Sequence, residues 1–186
     1  MFDFSTFPEL ATPRLELRKL TSADVPAMRN LFSAPEVLRY LNSSPTDTDE
    51  KALDLINWLN DQFDHKNGVN WAIVLNGEDD RFVGQCGTHG WDESNRHVDI
   101  GYHILPVEWG KGYATEASHA VIRWCFEQLG VHRVQADCTD GNIGSERVLL
   151  KCGFTVEGVW RESCWEHGRF VNIKQFGLLR REFESR

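Results

Sequence analysis

Two glycines flank a lysine at Gly110-Lys111-Gly112, where an alternating apolar pattern (Val98, Ile100, Tyr102, Ile104) gives way to a helical one. Glycine lets a backbone approach a ligand closely and takes positive φ at little cost. The helix that begins at Tyr113-Ala114-Thr115 brings N–H groups without helical acceptors and the positive end of a dipole, and both favour an anion. Lys111 adds a mobile cation beside them. Strand, glycine turn and helix start in that order make a cradle for a diphosphate. A strand-to-helix turn that binds nothing would use the same residue types, so this reading needs support from elsewhere in the chain. Two familiar phosphate loops are excluded. A Walker loop would follow Gly-Lys with Ser or Thr, where Gly112 stands, and a dinucleotide fingerprint would place its third glycine at Thr115.

Asp140-Gly141-Asn142-Ile143-Gly144-Ser145 follows a strand pattern and opens another helix. Asn142 and Ser145 are three apart, share a helix face and are both good N-terminal helix residues. Capping alone would account for them. The functional alternative has Asn142 holding an amide of a ligand arm while the Ser145 hydroxyl points at its reactive end. His97, Asp99 and His103 alternate on one strand face, an arrangement more often structural than metal-binding. Trp71, Trp91 and Trp165 either line a cleft or fill the core.

These residues need elements to hold them, and the periodicity predicts a set. Leu15-Glu16-Leu17-Arg18 alternates like a first strand. Thr21, with Asp24 three residues on, opens a helix through Ala27, Met28, Leu31 and Phe32. Pro35 starts a short turn carrying Val37, Leu38 and Leu41, and the polar run from Asn42 to Thr46 is a loop. Thr48 or Asp49 caps a longer helix with Leu53, Ile56, Leu59 and Phe63 on one stripe. From residue 69 the period changes. Val69 to Leu75 and Arg81 to Thr88 are predicted strands about an Asn76-Gly77 turn, and a third ends at Leu105. Ala114 to Leu129 is predicted helical and stopped by Gly130. A strand from His132 to Thr139 and a helix from Ile143 to Lys151 follow. Thr155 to Glu162 and Trp165 to Leu179 form a hairpin about His167-Gly168. No repeat or linker interrupts, so residues 1–186 are expected to form one mixed α/β domain.

At 186 residues the chain can bury a core without staples. A hydrophobic share of 41% with 26% charged is ordinary for a globular protein. No long apolar run and no basic-then-apolar leader indicate a membrane span or a signal peptide. The five cysteines (Cys86, Cys125, Cys138, Cys152, Cys164) are widely spaced and odd in number, as reduced thiols of a cytoplasmic protein would be. A net charge of -8 disfavours a nucleic-acid partner and suits a basic acceptor, although it also serves solubility.

Thr12-Pro13-Arg14-Leu15-Glu16-Leu17-Arg18 followed by Asp24, then Asp99-Ile100-Gly101-Tyr102, the loop from Trp109 to Ala117, Asn142-x-x-Ser145, and Lys151-Cys152-Gly153-Phe154 with Gly158 occur in that order. In this the chain resembles the GNAT N-acetyltransferases, and more narrowly the branch containing the ribosomal-protein N-terminal acetyltransferases. The resemblance implies a central twisted, mostly antiparallel sheet flanked by helices, with a splayed strand pair that binds acetyl-CoA. It implies transfer of acetyl to a primary amine. It places the pyrophosphate on Trp109, Gly110, Lys111, Gly112, Tyr113, Ala114 and Thr115, and the pantetheine amides on Ile104 and Leu105. It assigns cofactor binding to Asn142 and protonation of the departing thiolate to Ser145. The family pattern usually opens with Arg or Gln where this chain has Trp109, which removes one side-chain contact and leaves the backbone cradle.

Attack on a thioester needs a neutral amine, so a carboxylate, imidazole or water chain must take its proton. Some members of the branch carry a glutamate where this chain has Cys164. Asp137, five residues before Asn142 and acidic in some superfamily members, lies on the polar face of its strand, opposite Val134, Ala136 and Cys138. It is the candidate base, with Glu162, Glu166 or a water chain as alternatives. No metal is expected. The expected acceptor is the N-terminal amine of a protein such as a ribosomal protein. A small amine (aminoglycoside, polyamine or amino acid) and a non-catalytic acyl-CoA-binding module are the alternatives. A second copy of the chain is a further candidate partner.

Overall fold

Half-buried strands joined by short polar turns must find partners for their backbone, and here they do so in one sheet. The computed structural model describes residues 3–78 and 80–185. Its strands are β1 (Leu10–Ala11), β2 (Leu15–Lys19), β3 (Asn70–Leu75), β4 (Phe82–Asp92), β5 (His97–Ile104), β6 (Arg133–Thr139), β7 (Thr155–Glu166) and β8 (Arg169–Leu179). They lie in the order β1-β2-β3-β4-β5-β6-β8-β7. Every pairing is antiparallel except that of β5 with β6.

That exception shapes the molecule. β5 and β6 are in register only through His97↔Arg133, Val98↔Val134 and Asp99↔Gln135. Beyond that point residues 100–104 stay with β4, and residues 136–139 stay with β8. The two strands therefore splay, and their facing edges present backbone groups to a gap.

Helices cover the two faces unequally. α1 (Val25–Ser33), α2 (Pro35–Leu38) and α3 (Asp49–Asp64) lie on one face, where Met28, Ala52, Ile56 and Leu59 pack on Leu20 and Ala72. α4 (Tyr113–Trp124) and α5 (Ile143–Cys152) lie on the other, where Ala117, Val121 and Leu149 join Val98, Ile100, Val134 and Ala136 in the larger core. α6 (Arg180–Glu184) ends the chain after β8. Arg18 grips both oxygens of the buried Asp24 at 2.8 Å, and the Thr21 N–H donates to the same carboxylate, which fixes the entry to α1.

Several expectations are corrected. Leu53 is 39% exposed, and Ala52 takes its place on the buried stripe of α3. β4 runs on to Asp92 instead of stopping at Thr88, because β5 continues to pair with it. β7 is continuous through Ser163, with its register shifting between Trp160 and Cys164. The helix that starts at Tyr113 widens into a π turn at Cys125–Leu129 before Gly130 ends it at φ 76°. β1 and α6 carry no periodicity long enough to announce them. Trp71 is fully buried, edge-on to Trp124, with its indole N–H donating to the Pro8 carbonyl at 2.6 Å, so it lines no cleft. Trp91 stacks on Phe4, and Trp165 lies edge-on to Phe170 at the surface. None of the five cysteines is in a disulfide. No helix of the described residues is long and apolar enough to cross a membrane.

Candidate active site

The loop before α4 has the backbone its glycines imply. Gly110 sits at φ 77° and Gly112, the N-cap of α4, at φ 86°, both left-handed conformations that favour glycine. A Cβ on Gly110 would meet nothing within 4 Å, so the loop opens onto space beside the helix start. Arg14 braces the loop from outside. Its guanidinium donates to the Lys111 carbonyl at 3.0 Å and pairs with Glu116, and it lies over the Tyr113 ring. Glu116 also accepts from the Arg14 N–H and from the Thr12 hydroxyl. The pairing of Arg14 with Glu116 is not legible in the sequence, because an ion pair 102 positions apart has no local signal. Lys111 is not the loose cation expected. Its ammonium is held 2.7 Å from Glu108, a buried carboxylate that also accepts from Arg81. Burial pushes Glu108 up, and those two cations outweigh it, holding the carboxyl below the usual range.

At the end of β5 the two residues expected to meet an amide-bearing arm differ. The Leu105 N–H donates to Val83, and its carbonyl accepts from Glu108. Antiparallel alternation then turns the polar groups of Ile104 the opposite way, toward the gap. Its carbonyl accepts the Trp109 indole N–H at 2.7 Å. Trp109, half exposed, is thus tied to the strand that borders the cradle. The Ile104 N–H is thus turned toward the gap, while the Leu105 N–H and carbonyl each already have one protein partner.

α5 begins at the same gap. The Asn142 side-chain oxygen accepts the Ser145 N–H at 3.2 Å, so Asn142 acts as the helix cap. The Ser145 hydroxyl lies 2.9 Å from the hydroxyl of Tyr102 on β5. Burial pushes the Tyr102 phenol well above its ordinary range, so it stays neutral. The sequence signal for this contact is a tyrosine on an otherwise apolar strand face, whose hydroxyl needs a partner. Cys138, on the facing edge of β6, has its thiol pushed up to about 11 by burial and stays protonated near neutral pH.

The opposite face of the sheet carries carboxylates. Asp137 points there, away from Val134, Ala136 and Cys138, as its strand position predicts. Desolvation raises its carboxyl above the ordinary range, with Asp99 and Glu166 adding to the effect and His89 opposing it. Glu166 is 6% exposed and hydrogen-bonds to neutral groups, the Thr139 hydroxyl at 3.0 and 3.1 Å and the Cys164 thiol, while Arg169 stands opposite it in the hairpin. It lines a cavity of about 710 Å³ between α2 and the β7–β8 hairpin, together with Leu38, Tyr40, Thr139, Gly141 and Val171. Two bonds hold that cavity's walls: the Tyr40 hydroxyl donates to the Gly141 carbonyl, and His167 lies 3.1 Å from the Leu38 carbonyl. Glu162, by contrast, is exposed in the bulged part of β7, and Asn172 accepts its N–H. The metal reading of His97, Asp99 and His103 finds other roles: Asp99 accepts from Gln135, and His103 packs on Phe32 beside Gln85.

A gap between splayed strands, a glycine cradle at one end, a buried hydroxyl pair on one face and carboxylates on the other make a site for an arm carrying a diphosphate. The sequence model of the acetyltransferase (GNAT) domain matches residues 14–155. The chain belongs to the GNAT acetyltransferases. Among its relatives, YoaA of Bacillus subtilis, named as an uncharacterized N-acetyltransferase, is 35% identical over 174 residues, covering 94% of this chain and 98% of that one. The fold matches a spermidine N-acetyltransferase from Vibrio cholerae, solved with CoA and spermine, at a TM-score of 0.80 and 19% identity, covering 93% and 99% of the two chains. It also matches RimL, a ribosomal L7/L12 alpha-N-protein acetyltransferase solved with CoA, at a TM-score of 0.84 and 17% identity, covering 92% and 98%.

GNAT enzymes use acetyl-CoA, whose thioester supplies the activated acetyl group. The residues here fit that donor. Gly110 opens onto space at the start of α4, Gly112 takes the positive φ of the turn there, and strand alternation turns the Ile104 N–H into the gap. Tyr102 and Ser145 then stand on the α5 face of the gap, with Asp137 on the other.

Proposed function

We propose that this acetyltransferase acts on a primary amine that enters through the cavity beside α2, and that the preferred acceptor is the N-terminal amine of a protein. The observation that carries this reading is Glu166. Although Arg39 and Arg169 line the same cavity, this carboxylate, 6% exposed, facing the cavity and hydrogen-bonded to a hydroxyl, lacks a bonded cation among the described residues. An acceptor ammonium supplies it. The cavity leads along Thr139 and Gly141 toward the turn that carries Asn142 and Ser145, so an amine held at Glu166 lies on the way to the gap.

In this reading acetyl-CoA lies in the splay with its diphosphate on residues 109–115. Asp137 takes the proton that the amine must lose, a task suited to a carboxyl whose basicity its surroundings have raised. Ser145 faces the sulfur. An acceptor chain is compatible with a cavity open to the surface, and the RimL fold match supports it.

A polyamine is the second reading. Asp99 and Glu166 both lie close enough to Asp137 to raise its carboxyl, so three acidic groups share a field that suits a polycation, and the spermidine acetyltransferase match supports it. The two are separated by incubating the protein with acetyl-CoA and a panel of acceptors while thiol release is followed. The panel holds peptides beginning with Ala or Ser, the same peptides blocked at the N-terminus, spermidine and an aminoglycoside. Release with free but not blocked peptides is expected. Preference for spermidine moves the assignment to the small-amine reading.

A further inference from the structure

We infer that Tyr102 is a positioning residue for the proton of Ser145, an inference that rests on the acetyl-transfer reading above. The Tyr102 hydroxyl lies 2.9 Å from Ser145 Oγ and 3.1 Å from the Ser145 carbonyl oxygen. It has one hydrogen for two neighbours. A carbonyl can only accept, so a phenol that donates to it must accept from the serine, and the serine hydrogen then points at the phenol. If the phenol instead donates to Oγ, the serine hydrogen is released to turn into the gap between β5 and β6, on whose far side the Cys138 thiol also lies within hydrogen-bond reach of Ser145. The two arrangements differ by the rotation of two hydroxyl hydrogens, and no charge moves.

The local structure supports both arrangements. The Ser145 carbonyl lies inside α5, where the N–H four residues on supplies its helical bond, so losing the phenol does not orphan it. The Asn142 cap fixes the Ser145 backbone, so Oγ can move only by rotation about Cα–Cβ. Tyr102 packs among the apolar residues of the larger core, so its ring is held while its hydrogen rotates. Burial keeps the phenol neutral, so it serves as donor and acceptor and gives up no proton of its own.

The consequence concerns the departure of CoA. As the carbon–sulfur bond breaks, its electron pair passes to sulfur, and a donor aimed at the sulfur stabilises that charge only as it forms. In the second arrangement Ser145 is that donor, and the hydrogen bond from Tyr102 to Oγ offsets the electron density drawn through it. In the first the serine hydrogen is parked. Tyr102 therefore sets whether Ser145 is ready.

A double-mutant cycle tests this with the acceptor the wild type uses best. Tyr102→Phe is expected to lower kcat about tenfold, the scale of one buried hydrogen bond, with the KM for acetyl-CoA within about twofold. In a Ser145→Ala background the same substitution is expected to change kcat by less than about twofold, because the group it positions is gone. Wild-type kcat in Tyr102→Phe overturns the inference. So does an equal loss in both backgrounds, which marks a packing role, or a loss confined to KM. If Tyr102→Phe does not fold, 3-fluorotyrosine at position 102 keeps the shape and strengthens the donor. A rate change that vanishes in Ser145→Ala supports the inference, and one that persists overturns it. A wild type that releases thiol with no amine brings down the acetyl-transfer reading itself, and this inference with it.

Discussion

Lys111 Nζ stands 2.7 Å from Glu108 Oε2, and Glu108 is a carboxylate only 4% exposed. Arg81 grips its other oxygen. The lysine of the diphosphate cradle is therefore already paired from the protein side. A phosphate that recruits Lys111 must share it with Glu108 or displace it. The backbone of the loop, not the lysine, should carry most of the affinity.

Lys111→Ala is accordingly expected to weaken acetyl-CoA binding by about 1 kcal/mol, or roughly fivefold in Kd, as a partly screened charge does. Calorimetric titration measures it. Glu108→Gln frees Lys111 and leaves Arg81 with only Glu78 as a charged partner among the described residues, so its Tm should fall while its affinity for acetyl-CoA holds or rises. A Lys111→Ala variant that no longer binds would show that side-chain charge dominates the cradle.

Gly112→Val should be far more damaging. At φ 86° a β-branched residue is strained, and an added Cβ would lie 3.4 Å from the Arg14 guanidinium that braces the loop. The expected loss is at least tenfold in acetyl-CoA affinity, beyond that of Lys111→Ala. Gly110 has the same sign of φ but open space around it, so Gly110→Ala should cost less than Gly112→Ala. Equal binding by Gly112→Val and wild type would remove the diphosphate from this loop.

What the sequence disclosed follows from the range of its signals. The cradle was legible because φ sign, helix start and glycine spacing are local matters within Gly110 to Thr115. Most strands were legible because alternation is local too. The splay between β5 and β6 was legible only through family resemblance, since no residue type marks where Asp99↔Gln135 ceases to be a pair. The Arg14–Glu116 brace, the Tyr102–Ser145 contact and the Glu108 trap for Lys111 depend on side chains meeting across elements, or on which neighbour wins a cation. Glu166 shows the same limit. Its position two residues beyond Cys164 puts it on the same strand face, but its burial against Thr139 depends on how the bulged hairpin curls.

Acid should reveal His103. Burial pushes its imidazole down from an ordinary 6.5 to about 4, and Phe32 and Gln85 give it no carboxylate to favour the charged form. The fold thus prefers the neutral ring, while the unfolded chain binds a proton near pH 6.5. Stability from this group is full above that pH, declines as pH falls from about 6.5 to about 4, and changes no further below. Asp24, Glu108 and Glu116 have lowered carboxyls and lose their contribution at still lower pH, so the windows separate. In thermal melts against pH, His103→Gln should flatten the curve between pH 6.5 and 4 relative to wild type. Parallel curves would show that the ring is solvated in the folded protein.

Asp137 and Glu166 are assigned different tasks, and the kinetics should divide accordingly. Asp137→Asn keeps the shape and removes the basic site, so kcat/KM should fall by about 10²-fold, the usual scale for a positioned base. The deficit should shrink at high pH, where more of the amine is already neutral. Glu166→Gln removes the charge that holds the ammonium, so its main effect should be a rise of about tenfold in the KM for the acceptor. The two are also coupled through the field. A base must be ionised to work, so the acid limb of the rate profile falls as pH drops through the Asp137 pKa. Desolvation, Asp99 and Glu166 lift that pKa, and taking away the Glu166 charge lowers it again. Glu166→Gln should therefore move the acid limb of kcat to lower pH even while it weakens acceptor binding. If Asp137→Asn keeps wild-type activity near neutral pH, Asp137 is a structural aspartate. If the acid limb then vanishes in Glu166→Gln instead, the buried glutamate is the base and the cavity floor is where the amine loses its proton.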